Sequence, residues 1–357
     1  MKLPAVVLLF AAAAGMLAAQ SFAMGADVSS LELTQQLGAK FFDENGIAGD
    51  PLSILQRHGV SFIRLRVWVN PADGVNNQER VVRLARKARA LGLRLLVDFH
   101  YSDTWADPGH QAKPAAWAND DFPGLQKDLY DHTYGVCASL KAAGAGPDMV
   151  QIGNEINGGM LWPDGSSSSW PRLAALLSTG YRAVKDCSPA IQVMLHLAGA
   201  GDKAAAEKWF DSARARGVHW DVIGLSYYSY WNGGMSAMTD TVRDLRTRYG
   251  VPVVIVETAY PFTLENADAQ ENVIHSRGQL AAGYPATPQG QAGNLRDVIA
   301  AARAGGAAGV FYWEPTWTAV RGSGWDPADP ASGDGWENQA LFDFHGRALP
   351  ALEDFGR

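Results

Sequence analysis

Met149-Val150-Gln151-Ile152-Gly153-Asn154-Glu155 and Val253-Val254-Ile255-Val256-Glu257 are two apolar runs of strand character, each closed by one glutamate. A buried strand has no routine use for such an acid, yet the arrangement occurs twice in widely separated parts of the chain. Each glutamate stands where a strand hands over to a loop. Runs of the same kind occupy Gly25–Ser29, Phe62–Trp68, Leu93–His100, Gln192–Leu197, Val222–Tyr228 and Val310–Glu314, which brings the count to eight. Amphipathic stretches lie between them, the signature of repeated βα units. Gln78 to Leu91, for instance, carries Val81, Val82, Leu84, Ala85, Ala88 and Leu91 on one side and Arg and Lys on the other. Asp50-Pro51 offers a cap and a proline for a helix that stops by Gly59. Segments after the strands are longer and richer in Trp, Pro, Gly and Asp than those before them. The spacing therefore predicts a single (β/α)8 barrel whose functional face is the carboxyl end of its strands.

In that setting Glu155 and Glu257 converge, and two converging carboxylates can supply an acid/base and a nucleophile for cleaving a glycosidic bond. The alternative is a pair of unrelated surface glutamates. Other strand-end polar residues gather on the same rim: Arg64, Arg66 and Trp68, then Asp98 and His100, then Asn154, His196, Tyr227, Tyr228, Trp313 and Glu314. Each has a structural reading as well; Arg64 could pair with Asp98 in the core, and His196 could be a satisfied core histidine.

Composition narrows the function. Hydrophobic residues are 47% and charged residues 19%, enough for a packed core, and the net charge of −7 with no basic run excludes nucleic acid as a partner. Trp105, Trp117, Trp162, Trp231, Trp317, Trp325 and Trp336 stand in loops beside Pro, Gly and Asp, where an indole can stack on a sugar ring or fill a gap. Lys2 precedes an apolar stretch too short and Ala-rich for a membrane span, and Ser21-Phe22-Ala23 suits cleavage after Ala23. Residues 1–23 are expected to be a signal peptide and 24–357 the barrel, exported to the periplasm or medium, free of the membrane after cleavage, and monomeric. Export permits a disulfide, so Cys137 and Cys187 are either paired or buried free thiols.

The segments Arg64-Leu65-Arg66-Val67-Trp68-Val69-Asn70-Pro71, Asp98-Phe99-His100-Tyr101-Ser102-Asp103-Thr104-Trp105-Ala106-Asp107-Pro108, Ile152-Gly153-Asn154-Glu155-Ile156, Leu225-Ser226-Tyr227-Tyr228, Val256-Glu257-Thr258 and Phe311-Tyr312-Trp313-Glu314-Pro315 resemble the glycoside hydrolase family 53 endo-β-1,4-galactanases. The resemblance spans nearly the whole mature chain. It implies retaining hydrolysis of β-1,4-galactan, the backbone of type I arabinogalactan and pectin side chains, without a catalytic cofactor. Glu155 matches the acid/base, Glu257 the nucleophile, Arg64 the arginine that supports it, and Asn154 the partner of the sugar 2-hydroxyl. His100, Asp103, Trp105, His196, Tyr228, Trp313 and Trp317 are the further candidates for the cleft. A mannanase or glucanase would share both glutamates, and a non-catalytic carbohydrate-binding barrel would normally lack one.

Asn266, Asp268, Gln270 and Asn272 recur every second residue, a spacing that suits a hard cation. Some bacterial relatives hold a structural calcium there, with Asp334 and Glu337 placed to contribute from the following loop. Gln270 stands where those relatives usually have histidine. A solvated polar loop is the alternative.

Overall fold

The computed structural model of the protein describes residues 22–324, 326 and 329–356. Trp325 and all but the last two residues of the expected signal segment lie outside these. Strands β1 (Ala23–Asp27), β2 (Phe62–Val67), β3 (Arg94–Phe99), β4 (Met149–Ile152), β5 (Gln192–Ala198), β6 (Val222–Ser226), β7 (Val253–Thr258) and β8 (Gly309–Trp313) close into a barrel, each parallel to its neighbours, with β1 pairing both β2 and β8. All eight runs seen in the sequence are strands. The amide of Ala23 donates to the Ala308 carbonyl and Ala23 pairs with Gly309, so the residue before the expected cleavage point already belongs to β1.

Helices α1 (Leu31–Gln36), α2 (Pro51–Arg57), α3 (Gln78–Ala90), α4 (Phe122–Ala142), α5 (Trp170–Cys187), α6 (Lys203–Arg214), α7 (Met235–Tyr249) and α8 (Pro288–Gly305) accompany the strands. Their starts follow the local chemistry: Asp50 accepts from the Ser53 amide ahead of Pro51, and Asn77 accepts from the Arg80 amide. Cys137 of α4 and Cys187 of α5 are buried free thiols. Among the described residues no helix is long and apolar enough to cross a membrane.

The barrel interior is apolar at the start of the strands and polar at their ends. Phe62, Leu96, Met149, Met194, Val222, Val254, Val256 and Phe311 form one buried cluster, separate from the larger cluster between strands and helices. Two residues further along β2, β3, β4 and β5, the same inward face carries Arg64, Asp98, Gln151 and His196, all at most 1% exposed. Asp27 does the same on β1, two residues after Gly25. Gly25 is where the ring of Phe311 fits, for a Cβ there would lie 2.2–2.4 Å from three ring carbons. Gly25→Ala should overpack this layer and destabilise the fold by about 1–3 kcal/mol. A urea unfolding midpoint equal to the parent's would show that the ring has room to move.

Candidate active site

Arg64 stands at the centre of the polar layer. Its Nη1 lies 2.9 Å from Asp27 Oδ2 and 2.7 Å from Glu257 Oε1, while Nη2 donates to Asp98 Oδ2 at 2.8 Å and to Asn154 Oδ1 at 2.9 Å. Four other strands or their ends are thereby tied to β2. Burial works against the Asp98 carboxylate, but Arg64 and His100 outweigh it and hold its pKa below the usual range.

Glu257 reaches this layer through a bulge. Val253 and Ile255 face the helices, whereas Val254 and Val256 face inward, so simple alternation would turn Glu257 outward. Instead Leu225 pairs with Ile255 and Ser226 with Glu257, and on the other side Val310 pairs with Ile255 and Tyr312 with Thr258. One extra residue in β7 relative to both neighbours re-aims the glutamate. Its Oε2 then accepts from the Tyr228 hydroxyl at 3.0 Å.

Glu155 is brought in differently. Beyond β4 the chain turns through Gly153 at φ +79° and Glu155 itself at φ +47°, a left-handed conformation that costs a non-glycine residue about 1–3 kcal/mol. This lifts its carboxylate to the cleft floor, where Oε1 lies 2.6 Å from the Ser226 hydroxyl oxygen. An oxygen of Glu155 and one of Glu257 lie within 4.8 Å of each other. Burial, followed by the charge of Glu257, pushes the Glu155 carboxyl up to about 8. Burial also raises Glu257, with Arg64 opposing it. The environments differ in one cation, for the guanidinium lies 2.7 Å from Glu257 Oε1 and favours the charged form of that carboxyl.

These carboxylates open into a cleft of about 320 Å³ lined by His100, Trp105, Asn154, Tyr228 and Trp313 among the expected residues. Asp107, Ser226, Trp231, Asn232 and Trp336 line it as well, of which only the two indoles carried a compositional hint. Trp231 is the exposed one, at 55%. Arg64 and His196 lie beneath the floor rather than on it. His100 is anchored from below, with Nε2 3.1 Å from Asp98 and Nδ1 accepting from the Ala106 amide at 3.0 Å.

Besides His196, two expected cleft residues are corrected. Asp103 has its oxygens turned to the Asn70 and Ala115 amides, 2.9 and 2.8 Å away, so it ties loops together and faces no sugar. Trp317 is 2% exposed, donates to the Ser323 carbonyl and stacks on the far side of the cleft wall against Trp105. It lines a smaller pocket with Arg66 and Trp68, and Trp105 separates the two spaces. The Arg66 guanidinium lies 4.3 Å from the Trp105 ring centre and is held by buried Glu314 at 2.5 Å.

The loops after β7 and β8 bring together carboxylate oxygens of Asp268, Asp334 and Glu337, all within 4.8 Å of one another. Asn272 joins them, its Nδ2 donating to Glu337 Oε1 at 3.1 Å and to Asn266 Oδ1 at 2.9 Å. Gln270 is exposed and contributes its backbone amide to Asp268 Oδ1. Three buried acceptors here, Asn272 Oδ1, Asp334 Oδ2 and Glu337 Oε2, have no hydrogen-bond partner. Burial first, then neighbouring acid charge, raises Asp334 well above the usual range, and burial raises Glu337 to about 7.

Comparison with known proteins identifies the family and matches the fold. The model of glycosyl hydrolase family 53 matches residues 23–355. The chain is 34% identical over 372 residues to the endo-β-1,4-galactanase of Bacillus subtilis strain 168, covering 94% of this chain and 86% of the relative. The family 53 catalytic domain of Ignisphaera aggregans superposes with a TM-score of 0.90 at 44% identity, covering 94% and 95% of the two chains. A fungal β-1,4-galactanase superposes with a TM-score of 0.81 at 32% identity, covering 94% and 99%.

Because burial raises both glutamates, the folded chain binds more protons than the unfolded one between the ordinary carboxylate range and about pH 8, and their contribution to stability falls as pH rises through that window. Carbon-13 NMR of labelled carboxyl groups should show Glu155 titrating near pH 8. In Glu257→Gln the midpoint should drop, yet stay above the ordinary value because burial remains. A midpoint unmoved by that substitution would show that the charge of Glu257 does not act on Glu155.

Proposed function

This chain belongs to glycosyl hydrolase family 53, and on that premise we propose that it is an exported, retaining endo-hydrolase of β-1,4-galactosidic bonds in galactan and type I arabinogalactan, with Glu155 as acid/base and Glu257 as nucleophile. The observation that carries the reading is the approach of the two carboxylates to within 4.8 Å. Retaining glycosidases hold their carboxyls at about 5–5.5 Å, while inverting ones need about 6.5–9.5 Å to admit a water.

Charge placement divides the labour. Glu257, held by Arg64 and Tyr228, attacks the anomeric carbon as the bond to the leaving oxygen breaks, and Glu155 gives its proton to that oxygen. The sugar is then an ester of Glu257. Glu155, now ionised, takes a proton from water, which attacks the same carbon and releases Glu257. Asn154 lines the cleft with one amide proton on the Ala106 carbonyl at 2.7 Å, leaving the other for the sugar 2-hydroxyl. Trp105, Trp313 and Trp231 give the apolar faces on which the rings rest.

Glu257→Ala should abolish hydrolysis even of an activated aryl glycoside, with azide returning an inverted α-glycosyl azide. Glu155→Ala should keep the first step on activated substrates, accumulate the glycosyl-enzyme, and turn over with azide to the retained β product. Exchanged configurations would reverse the two assignments. Hydrolysis of galactan that survives both substitutions would sink the reading.

We further propose that calcium ties the loops after β7 and β8, held by Asp268, Asp334, Glu337 and the free Oδ1 of Asn272, with Asn266 in support. Three unpartnered buried oxygens among raised carboxyls fit a hard cation, whose role would be structural. The carboxyls must ionise to bind it, so the rise in melting temperature on adding calcium should be larger at pH 8 than at pH 5. Melting curves that match in calcium and in chelator at both pH values would refute the site.

A further inference from the structure

Ser226 closes β6 at 1% exposure and stands between the two glutamates. Its Oγ lies 2.6 Å from Glu155 Oε1, 3.3 Å from Glu257 Oε2 and 2.8 Å from His196 Nε2. Two of these three neighbours are carboxylates that can only accept when ionised, and a serine hydroxyl has one proton to give. The third decides how that proton is used.

The tautomer of His196 follows from its other nitrogen. The Glu155 amide donates to Nδ1 at 3.4 Å. Asn154 Oδ1 lies 3.0 Å from Nδ1, but it already accepts from Arg64 Nη2 at 2.9 Å and Gln151 Nε2 at 3.1 Å. Nδ1 is therefore the acceptor and Nε2 carries the hydrogen, which it donates to Ser226 Oγ. Burial and then the charge of Arg64 keep this imidazole neutral. With an oxygen lone pair committed to His196, the hydroxyl proton is free to turn about the Cβ–Oγ bond toward either glutamate.

We propose that Ser226 is a positioning residue that hands its one hydrogen bond from Glu257 to Glu155 and back as negative charge moves between them during the two displacements. The proposal rests on the assignment of Glu155 and Glu257 made above. Before the first displacement Glu257 is the anion, and Ser226 adds a donor to those from Arg64 and Tyr228. Once the sugar is bonded to Glu257, that oxygen is an ester without charge, and Glu155 has become the anion. The hydroxyl then turns to Glu155, and no heavy atom needs to move. Besides Arg64, Tyr228 and His196, the charged or titratable groups around the pair are Asp27 and Asp98 below it, His100 in the cleft lining and Asp107 in the loop after β3. The three carboxylates have no donor to offer, and His100 is held by Asp98.

The pH profiles distinguish a shared donor from a fixed one. A donor on Glu257 lowers the pKa of the acidic limb of kcat/KM, set by ionisation of the nucleophile in the free enzyme. At the basic limb both glutamates are charged, and a shared hydroxyl makes one bond before and after Glu155 ionises. Ser226→Ala should therefore raise the acidic limb of kcat/KM on galactan by about half to one pH unit and leave the basic limb in place. With an activated aryl substrate whose second displacement limits kcat, the acidic limb of kcat should rise as well, because Glu155 has lost its donor there. Ser226→Thr should restore both limbs, and Ser226→Cys, a weak donor, should move them in the alanine direction should the alanine variant not fold. A shift of the basic limb of kcat/KM with the acidic limb unmoved would mean that Ser226 serves Glu155 alone. Unmoved limbs with a lowered melting temperature would reduce Ser226 to packing. Either result overturns the shared donor and leaves the glutamate assignment standing, since that assignment falls only with the azide products.

Discussion

The ion pairs of Arg64 hold the site together. One guanidinium, 1% exposed, faces Asp27, Asp98 and Glu257, and its remaining hydrogen bonds go to Asn154 and Gln151. Burial opposes its charge, but the three carboxylates outweigh that opposition and keep it protonated. Removing one partner of such a buried cluster leaves an uncompensated charge, a loss of about 3–5 kcal/mol in comparable cases. Glu257, the asparagine beside Glu155 and the strands that carry them thus share a single electrostatic anchor. It also makes the two glutamates unlike, for this cation opposes the rise that burial imposes on Glu257.

Much of this was legible in the sequence, for reasons that differ from part to part. The barrel could be read because strand runs alternate with amphipathic helices, a pattern written locally. Glu155 and Glu257 could be read because an acid at the end of an apolar strand is out of place unless a site uses it. The inward aim of Glu257 was not legible, since period-two alternation groups it with Val253 and Ile255 and only the pairing of β7 with its neighbours reveals the bulge. Asp103 misled for a related reason. It sits in a motif-rich segment after β3, but loop folding turns its oxygens to two backbone amides. Ser226 and Asp107 left no trace in composition, because one hydroxyl and one surface-type acid look alike wherever they occur.

The tryptophans divide by what stands behind them. Trp105 is a wall with a cleft on one side and, on the other, a buried guanidinium clamped by Glu314, whose carboxyl burial pushes up to about 7. Trp317 lies in the same stack yet never meets the cleft. A count of loop indoles therefore overstates the sugar-facing surface, and half-buried Trp105 owes its fixed plane to partners that no substrate touches.

The bulge in β7 lets two consecutive residues face the barrel interior where plain alternation would allow one. Val256 fills the inner apolar layer, and Glu257, directly after it, enters the polar layer that holds Arg64. A regular strand end would have to give up either the filler or the carboxylate. The extra residue removes that choice, so packing and charge are stacked at one strand end without competing for the same position.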